Sequence, residues 1–320
     1  MTGDVPMLEV LAAREKTRER RRDFFKTFAT ASALAGGFTL AAKPDAAMAQ
    51  SAPSDADVLN FALNLEYLEA QFYVQAVTGA GLSASLLGGT GTPGQATGGR
   101  QVTFTDPAVA QYAREIAADE QAHVAFLRGA IGSAAVAQPT IDIGTAPNGA
   151  FSSAARAAGL VGPGQSFDPY ASDENFLLAA FLFEDVGVTA YKGASPLISN
   201  KLFLEAAAGI LAVEAYHASL IRTTLYAKGI QTPSLIDATE AISNARDSLD
   251  GASDLDQGVR PTGTGTSAVS NIAPLDSNGL AYSRSAGQVL NIVYLNRAAV
   301  TGGGFFPNGV NGTLRMSAAN

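Results

Sequence analysis

The chain has 320 residues, 47% of them hydrophobic and 16% charged, enough apolar mass for one sizeable core or two modest ones, which excludes a wholly disordered chain. It contains no cysteine and only two histidines, so disulfide frameworks, thiolate nucleophiles, Cys-ligated zinc and iron-sulfur clusters are excluded, and any imidazole chemistry must pass through those two residues. A formal net charge of -8 speaks against a nucleic-acid partner, because phosphate binding needs a basic stripe.

Residues 1–49 read as an export signal rather than as fold. A polar start with Arg14, Lys16, Arg18 and Arg20 runs into Arg21-Arg22-Asp23-Phe24-Phe25-Lys26, then into a weakly apolar Ala/Gly-rich stretch from Thr27 to Ala42. Ala47-Met48-Ala49 supplies small residues at a cleavage point before Gln50. The succession resembles twin-arginine export signals, which implies a periplasmic or otherwise exported protein that folds before it crosses, often with a metal or cofactor in place. The apolar stretch is too short and too weak for a stable membrane span, so none is expected after processing. Cleavage near Ala49 removes 8 basic and 6 acidic residues and leaves 13 against 23, net -10.

From Ser54 onward the sequence predicts long helices. The first starts at Ser54, with Asp55 and Asp57 in its opening turn, and stops at Thr78-Gly79. The second starts at Asp106-Pro107 and stops near Gly129. The third runs from Ser172 to about Lys192-Gly193, and the fourth from Asn200 to Lys228-Gly229, basic residue and glycine where a helix C-terminus favours them. A fifth, shorter helix is expected from Pro233 to Leu249. Phe176, Leu177, Ala180, Phe181, Phe183, Val186, Val188 and Tyr191 cover most of the third helix's circumference, so it should be buried on nearly every side.

About 27 Gly- and Thr-rich residues separate the first two helices, about 43 the second and third, and only a handful the third and fourth. Two helical pairs with a long middle crossover is the layout of a four-helix bundle with one crossover connection. After residue 250 the pattern dissolves into Gly-, Ser- and Asp-rich segments. The apolar island Gly287–Leu295 is expected as a short helix or strand docked on the bundle, and Gly302–Pro307 as a loop with an aromatic anchor. The chain therefore divides into the signal at 1–49, a helical bundle over 50–230, and a C-terminal helix with a covering extension over 231–320.

The chemistry concentrates on the helices. Both histidines sit three residues after a glutamate, in Glu120-Gln121-Ala122-His123 and Glu214-Ala215-Tyr216-His217; with 12 Glu in 320 residues, chance would produce this about once in 700. On a helix, positions i and i+3 share a face, so a carboxylate and an imidazole can converge on one ion. Ala122, Phe126, Ala215 and Leu220 surround the two motifs with small and apolar neighbours, against the alternative of an ion pair on a solvated face. Glu66 and Glu184 lie on the other two long helices, and each is followed seven residues later, nearly two turns, by a tyrosine, Tyr73 and Tyr191. Counted from the expected caps, Glu66 and Glu184 are 12 residues along and Glu120 and Glu214 are 14, so all four lie about 18 to 21 Å from their helix starts, near mid-height. Four carboxylates and two imidazoles at one level of an apolar core need cations to neutralise them, and two divalent metals would do so.

This pattern, Glu from each of two helices plus Glu-x-x-His from each of the other two, resembles the ferritin-like di-iron and di-manganese carboxylate proteins. The helices together with Gln288–Tyr294 and Gly303–Pro307 are similar to the desiccation-related branch of that superfamily. The resemblance implies an all-α, ferritin-like four-helix bundle with a long middle crossover and a mostly irregular C-terminal extension. It implies two divalent transition metals, iron or manganese, held by Glu66, Glu120, His123, Glu184, Glu214 and His217, with Glu120 and Glu214 bridging. The long first connection departs from ferritins proper, and nothing points to a storage cage.

Several neighbours have open or subsidiary roles. Glu69, one turn after Glu66, is an extra ligand, an acceptor for an imidazole N–H, or an exposed charge. Its counterpart in the repeat is Gly187, an asymmetry that would leave open space beside one metal through which peroxide or dioxygen could arrive. Tyr73 and Tyr191 are expected to bond a ligand carboxylate across the bundle, and Asp119 and Asp185 to be outer-face charges. No Gly-x-Ser-x-Gly elbow occurs, which weighs against hydrolase chemistry. The expected function is a metal-dependent reaction on peroxide, dioxygen or ferrous iron in stress protection; the alternative is a non-catalytic, desiccation-protective scaffold. The oligomeric state is not fixed by the sequence, and a homo-oligomer is compatible with it.

Overall fold

Local sequence signals set most helix starts. The computed structural model describes residues 52–320, and the export signal expected over 1–49 lies outside them. Helix α1, Asp55–Thr78, opens with a reciprocal cap: the Ser54 hydroxyl accepts from the Asp57 amide and the Asp57 carboxylate from the Ser54 amide. It closes on Gly79, whose φ of 76° lies in the left-handed region that glycine reaches at no steric cost. Helix α2, Pro107–Ile131, starts on the Asp106 carboxylate with proline at its first position. Ser172 and Asn200 cap α4, Asp173–Ala194, and α5, Lys201–Gln231, in the same way.

The stops differ from expectation at three glycines. Gly129, Gly193 and Gly229 lie inside α2, α4 and α5. At Gly193 the missing side chain serves another purpose, since a Cβ there would sit 2.0 Å from the Arg284 carbonyl oxygen of the C-terminal segment. Gly229 likewise admits Ile236 of α6, Pro233–Asp250, which follows α5 after Thr232 with proline at its first position. The apolar island resolves as helix α7, Ala286–Tyr294. One helix escaped the sequence: the crossover between α2 and α4 contains α3, Ala150–Ala157, whose Phe151 and Ala155 are buried.

Helices α1, α2, α4 and α5 form the bundle, α1 packing mainly on α2 and α4 on α5, with α6 and α7 laid against α4. This is the four-helix arrangement with a long middle crossover. The two long connections meet in a two-residue parallel pairing of β1, Ala96–Thr97, with β2, Ile141–Asp142. Asn311 of the tail ties them to α1: it donates to the carbonyls of Thr92 and Ala137 and exchanges a further bond with Asn64. Phe72, Phe151, Phe176, Phe183 and Phe305 form a continuous aromatic layer joining α1, α3, α4 and the tail. Each fully buried ring contributes about 1.5–3 kcal/mol by removal of apolar area from water.

The tail is fastened by charge as well. Arg222 of α5, Arg246 of α6 and Arg284 of the tail are all at most 1% exposed. Arg222 and Arg246 share the Asp185 carboxylate of α4, Arg246 and Arg284 share Asp256, and Arg284 also holds Asp250. Asp185 is therefore an interior anchor, not the outer-face charge its position beside Glu184 suggests. Among the described residues α5 is long and apolar enough to cross a membrane, yet its Glu214, His217 and Arg222 are buried in the bundle.

Candidate metal centre

The six predicted ligands come together. Glu66 on α1, Glu120 and His123 on α2, Glu184 on α4, and Glu214 and His217 on α5 are all at most 8% exposed. His123 turns Nδ1 towards Glu66, Glu120 and Glu214 at 3.2, 3.6 and 3.7 Å. His217 turns Nδ1 towards Glu120 and Glu184 at 3.0 and 3.6 Å. The ligand atoms fall into two overlapping groups, each compact enough to hold an ion: Glu66, Glu120, His123 and Glu214, then Glu120, Glu184, Glu214 and His217. Glu120 and Glu214 belong to both. Glu120 directs one oxygen to each imidazole, as a bridging carboxylate would.

The tyrosines secure the two terminal carboxylates across the bundle, as expected. The Tyr73 hydroxyl on α1 donates to Glu184 on α4, and the Tyr191 hydroxyl on α4 donates to Glu66 on α1. The second oxygen of each faces the interior, that of Glu66 against His123 Nδ1 and that of Glu184 without a hydrogen-bond partner.

Whether this donor set fits metal can be tested on polar satisfaction. Of eight buried side-chain nitrogen or oxygen atoms without a hydrogen-bond partner among the described residues, six lie here, on Glu120, Glu184, Glu214 and His217. A buried orphan costs about 1–3 kcal/mol, more if charged, so such a concentration is stable only when something else satisfies it. Four carboxylates balance the charge of two divalent ions, and the oxygen and imidazole donors suit iron or manganese. The buried Glu/His cluster is compatible with a dimetal site.

In the metal-free protein, protons take the place of that charge. Burial, reinforced by the Glu120 charge, raises Glu66 to about 7. Burial likewise raises Glu184 to about 8 against the pull of His217, and lifts Glu214 well above the carboxylate range. Glu120 is equally buried, but the hydrogen bonds and charges of His123 and His217 outweigh burial and bring it to about 2. The imidazoles respond in kind: burial would lower both, yet their carboxylate partners raise His123 to about 10 and His217 to about 9.

The residues around the centre refine the sequence reading. Glu69 is 6% exposed, which removes the exposed-charge alternative; it stands beside both groups but in neither. Burial, then Glu120, Glu184 and Glu66, push it well above the usual range and keep it protonated. At Gly187 the missing side chain makes room for the ligands themselves: a Cβ there would lie 2.3 Å from Glu214 Oε2 and 3.5 Å from Glu69 Oε1, and the open space that remains beside it is a small cavity shared with Glu69. Asp119, expected to be a free outer charge, accepts from His217 Nε2 at 3.1 Å. That bond keeps a proton on Nε2, so Nδ1 is the nitrogen that would give up its proton and offer a lone pair inward when a metal binds. Finally, Ala122, Phe126 and Ala215 are exposed, so the imidazoles owe their burial to the opposite helices rather than to these neighbours.

One further signal was present in the sequence and unread. Both motifs extend to Glu-x-x-His-x4-Arg, ending in Arg128 and Arg222. Arg128 donates to the Tyr67 hydroxyl and the Gly88 carbonyl, so it braces the first connection. Arg222 grips Asp185 together with the carbonyls of Gln257, Gly258, Asn271 and Ile272, so it braces the tail.

Comparison with known proteins agrees with this geometry. The ferritin-like domain family matches residues 54–227. The chain is 29% identical over 271 residues to the ferritin-like catalase Nec2 of Nesocodon mauritianus, covering 82% of this chain and 85% of that protein. It is 31% identical over 240 residues to the desiccation-related protein PCC13-62 of Craterostigma plantagineum, covering 72% and 75%. The chain belongs to the ferritin-like family, in its desiccation-related branch.

Proposed function

We propose that the protein is an exported dimetal carboxylate enzyme that disproportionates hydrogen peroxide in stress protection. Glu66 and His123 would hold one iron or manganese ion and Glu184 and His217 the other, with Glu120 and Glu214, which belong to both donor groups, available to each. When bound, such a pair supplies the two-electron couple through which two peroxide molecules become two waters and one dioxygen. The chain's own contribution is placement. Tyr73 and Tyr191 hold the terminal carboxylates, Asp119 sets the tautomer of His217, and the apolar bundle keeps water from the remaining coordination positions. The concentration of unsatisfied ligand atoms carries the metal assignment; the catalase relative favours peroxide over ferrous iron as substrate.

Elemental analysis after native purification should find about two transition metals per chain, and oxygen evolution from peroxide should appear on metal loading and vanish on chelation. Fewer than about one metal per chain would overturn the assignment. A scaffold reading draws support from the desiccation-related relative and from the ionic fastening of the tail. It predicts that metal raises the melting temperature and releases no oxygen from peroxide. The proposed export is tested separately. Replacing Arg21 and Arg22 by lysine should retain the precursor in the cytoplasm, and the wild-type exported protein should begin at Gln50.

A further inference from the structure

Two cavities lie on the α4 side of the centre. The inner one, of about 20 Å³, has Glu69 and Gly187 on its wall, closed otherwise by Leu65, Leu68, Phe183, Val293, Phe305 and their neighbours. The outer one, of about 30 Å³, lies between α3, α4, α6 and α7. Leu182 of α4 and Ile292 of α7 line both, so the two are separated by no more than those side chains. The outer end is bordered by exposed Ala157 and half-buried Ala158 and Leu160. Of the charged groups, Glu69 closes the inner end, and Arg246 on the outer wall commits its two terminal nitrogens to the Phe181 and Leu182 carbonyls and to Asp185 and Asp256, while its Nε is buried without a partner.

We propose that these cavities form a dry passage for dioxygen between solvent and the metal centre, gated by Leu182 and Ile292 and ending on Glu69. Each holds roughly one small molecule, and apart from Glu69 at the inner end and Arg246 on the outer wall the lining is aliphatic and aromatic, a surface that disfavours water. Dioxygen enters such a space without losing hydrogen bonds. Peroxide and water would forfeit theirs on entering, so the passage disfavours them. Rotamer changes of two aliphatic side chains occur in picoseconds to nanoseconds and suffice to open the constriction. On the opposite side of the centre a groove of about 500 Å³ between α2 and α5 carries Glu115, Asp119, Tyr216 and Thr223 and reaches His217, a wet surface suited to polar molecules. The passage gives the crossover helix and the C-terminal extension a shared role, since α3, α6, α7 and Phe305 build the walls that the four bundle helices alone would lack.

The assignment of dioxygen rests on the reading of the centre as one that makes or consumes it, but the passage itself can be tested without that reaction. Crystals of the full mature chain, metal-free and metal-loaded, are pressurised with xenon, an apolar probe that needs no chemistry at the centre. Xenon should occupy both cavities in the wild type. In Leu182→Phe the inner site should be lost while the outer site persists, and Ile292→Phe should repeat that result from the facing helix. Absence of xenon from the wild-type inner cavity, ordered water in its place, or inner occupancy unchanged in both variants would overturn the proposal. Should the enzyme prove inert towards peroxide and dioxygen while xenon behaves as expected, the functional reading fails and the passage stands.

Discussion

The two halves of the bundle, α1–α2 and α4–α5, carry one ligand pattern in two different settings. Each half offers a glutamate, a tyrosine seven residues later, and a Glu-x-x-His-x4-Arg motif. What differs is everything the ligands lean on. The residue after the first glutamate is Tyr67 in one half and Asp185 in the other, and the arginine of each motif reaches across to it. In the first half that link is phenol to guanidinium at the edge of a loop, and in the second it is a buried ion pair within a network of three arginines and three aspartates. Glu69 faces Gly187, and Asp119 corresponds to Val213. The comparison teaches that twofold repetition was kept at the buried carboxylates and imidazoles, a cluster compatible with two ions, and relaxed where each half had to fasten its own covering segment.

The largest expected effect comes from removing what the halves share. Glu120→Ala deletes a ligand common to both groups and should abolish binding of both metals, measured as metal per chain. Glu66→Ala or Glu184→Ala should weaken mainly one ion, because each belongs to a single group. Equal losses from all three variants would contradict the division into two ion sites.

Next in size is the fastening. Arg222→Met leaves Asp185 with Arg246 alone and the carbonyls of Gln257, Asn271 and Ile272 unpaired, so urea unfolding of the metal-free protein should show a loss of about 3–5 kcal/mol. Arg128→Met, at the equivalent place in the first half, gives up hydrogen bonds near the surface and should cost about 1–2 kcal/mol. A reversed order would show that burial of the ionic network is not what distinguishes the halves.

The site was more legible than its supports, and the reason is physical. Ligands that must meet at one level leave a periodic trace, which is why Glu66, Glu184 and both Glu-x-x-His motifs could be read from spacing. Asp119 and Asp185 are adjacent to ligands and were assigned outward by rotation alone. Their partners, His217 on one side and Arg222 with Arg246 on the other, lie 61 or more positions away or on a facing helix, beyond any local pattern. The same limit explains the glycines. Gly79 ends a helix through its own φ, whereas Gly193 and Gly229 answer to Arg284 and Ile236, which only the folded chain brings near. Helix α3 is eight residues of mostly alanine and serine with no side-chain cap, so it offered neither period nor boundary.

A smaller effect should follow pH, with opposite sign in the two metal states. In the metal-free protein Glu66 and Glu184 are raised to about 7 and 8, so their contribution is complete below their ordinary value of 4.5 and is lost as pH rises through 7 to 8. His123 and His217, raised to about 10 and 9, act in the same direction from 6.5 upward. Only Glu120, lowered to about 2, opposes them, and its contribution is lost on acidification below 4.5. The metal-free melting temperature should therefore fall by roughly 5 °C or more between pH 5 and pH 8. With metal bound it should rise over the same interval, because the ion competes with protons for the same atoms.

The finest test concerns the one imidazole whose Nε2, the nitrogen turned away from the centre, has an acidic partner. Asp119 holds Nε2 of His217, and the repeat places Val213, which cannot accept a hydrogen bond, at the corresponding position of the other half. A carboxylate behind a ligating imidazole increases its basicity and fixes its orientation, and loss of such a partner costs roughly 10–100-fold in metal affinity. Cobalt titration followed by its visible absorption should therefore show Asp119→Asn weakening one of two binding steps by that factor while the other is unchanged, with Asp119→Glu recovering part of it. Since Asp119 is half-exposed and touches no other part of the core, the folded stability of the metal-free protein should change little, which separates a directing role from a packing one. A uniform shift of both steps would mean that the bridging carboxylates share the disturbance, and the asymmetry between the halves would then end at the ligands' first neighbours instead of reaching the ions.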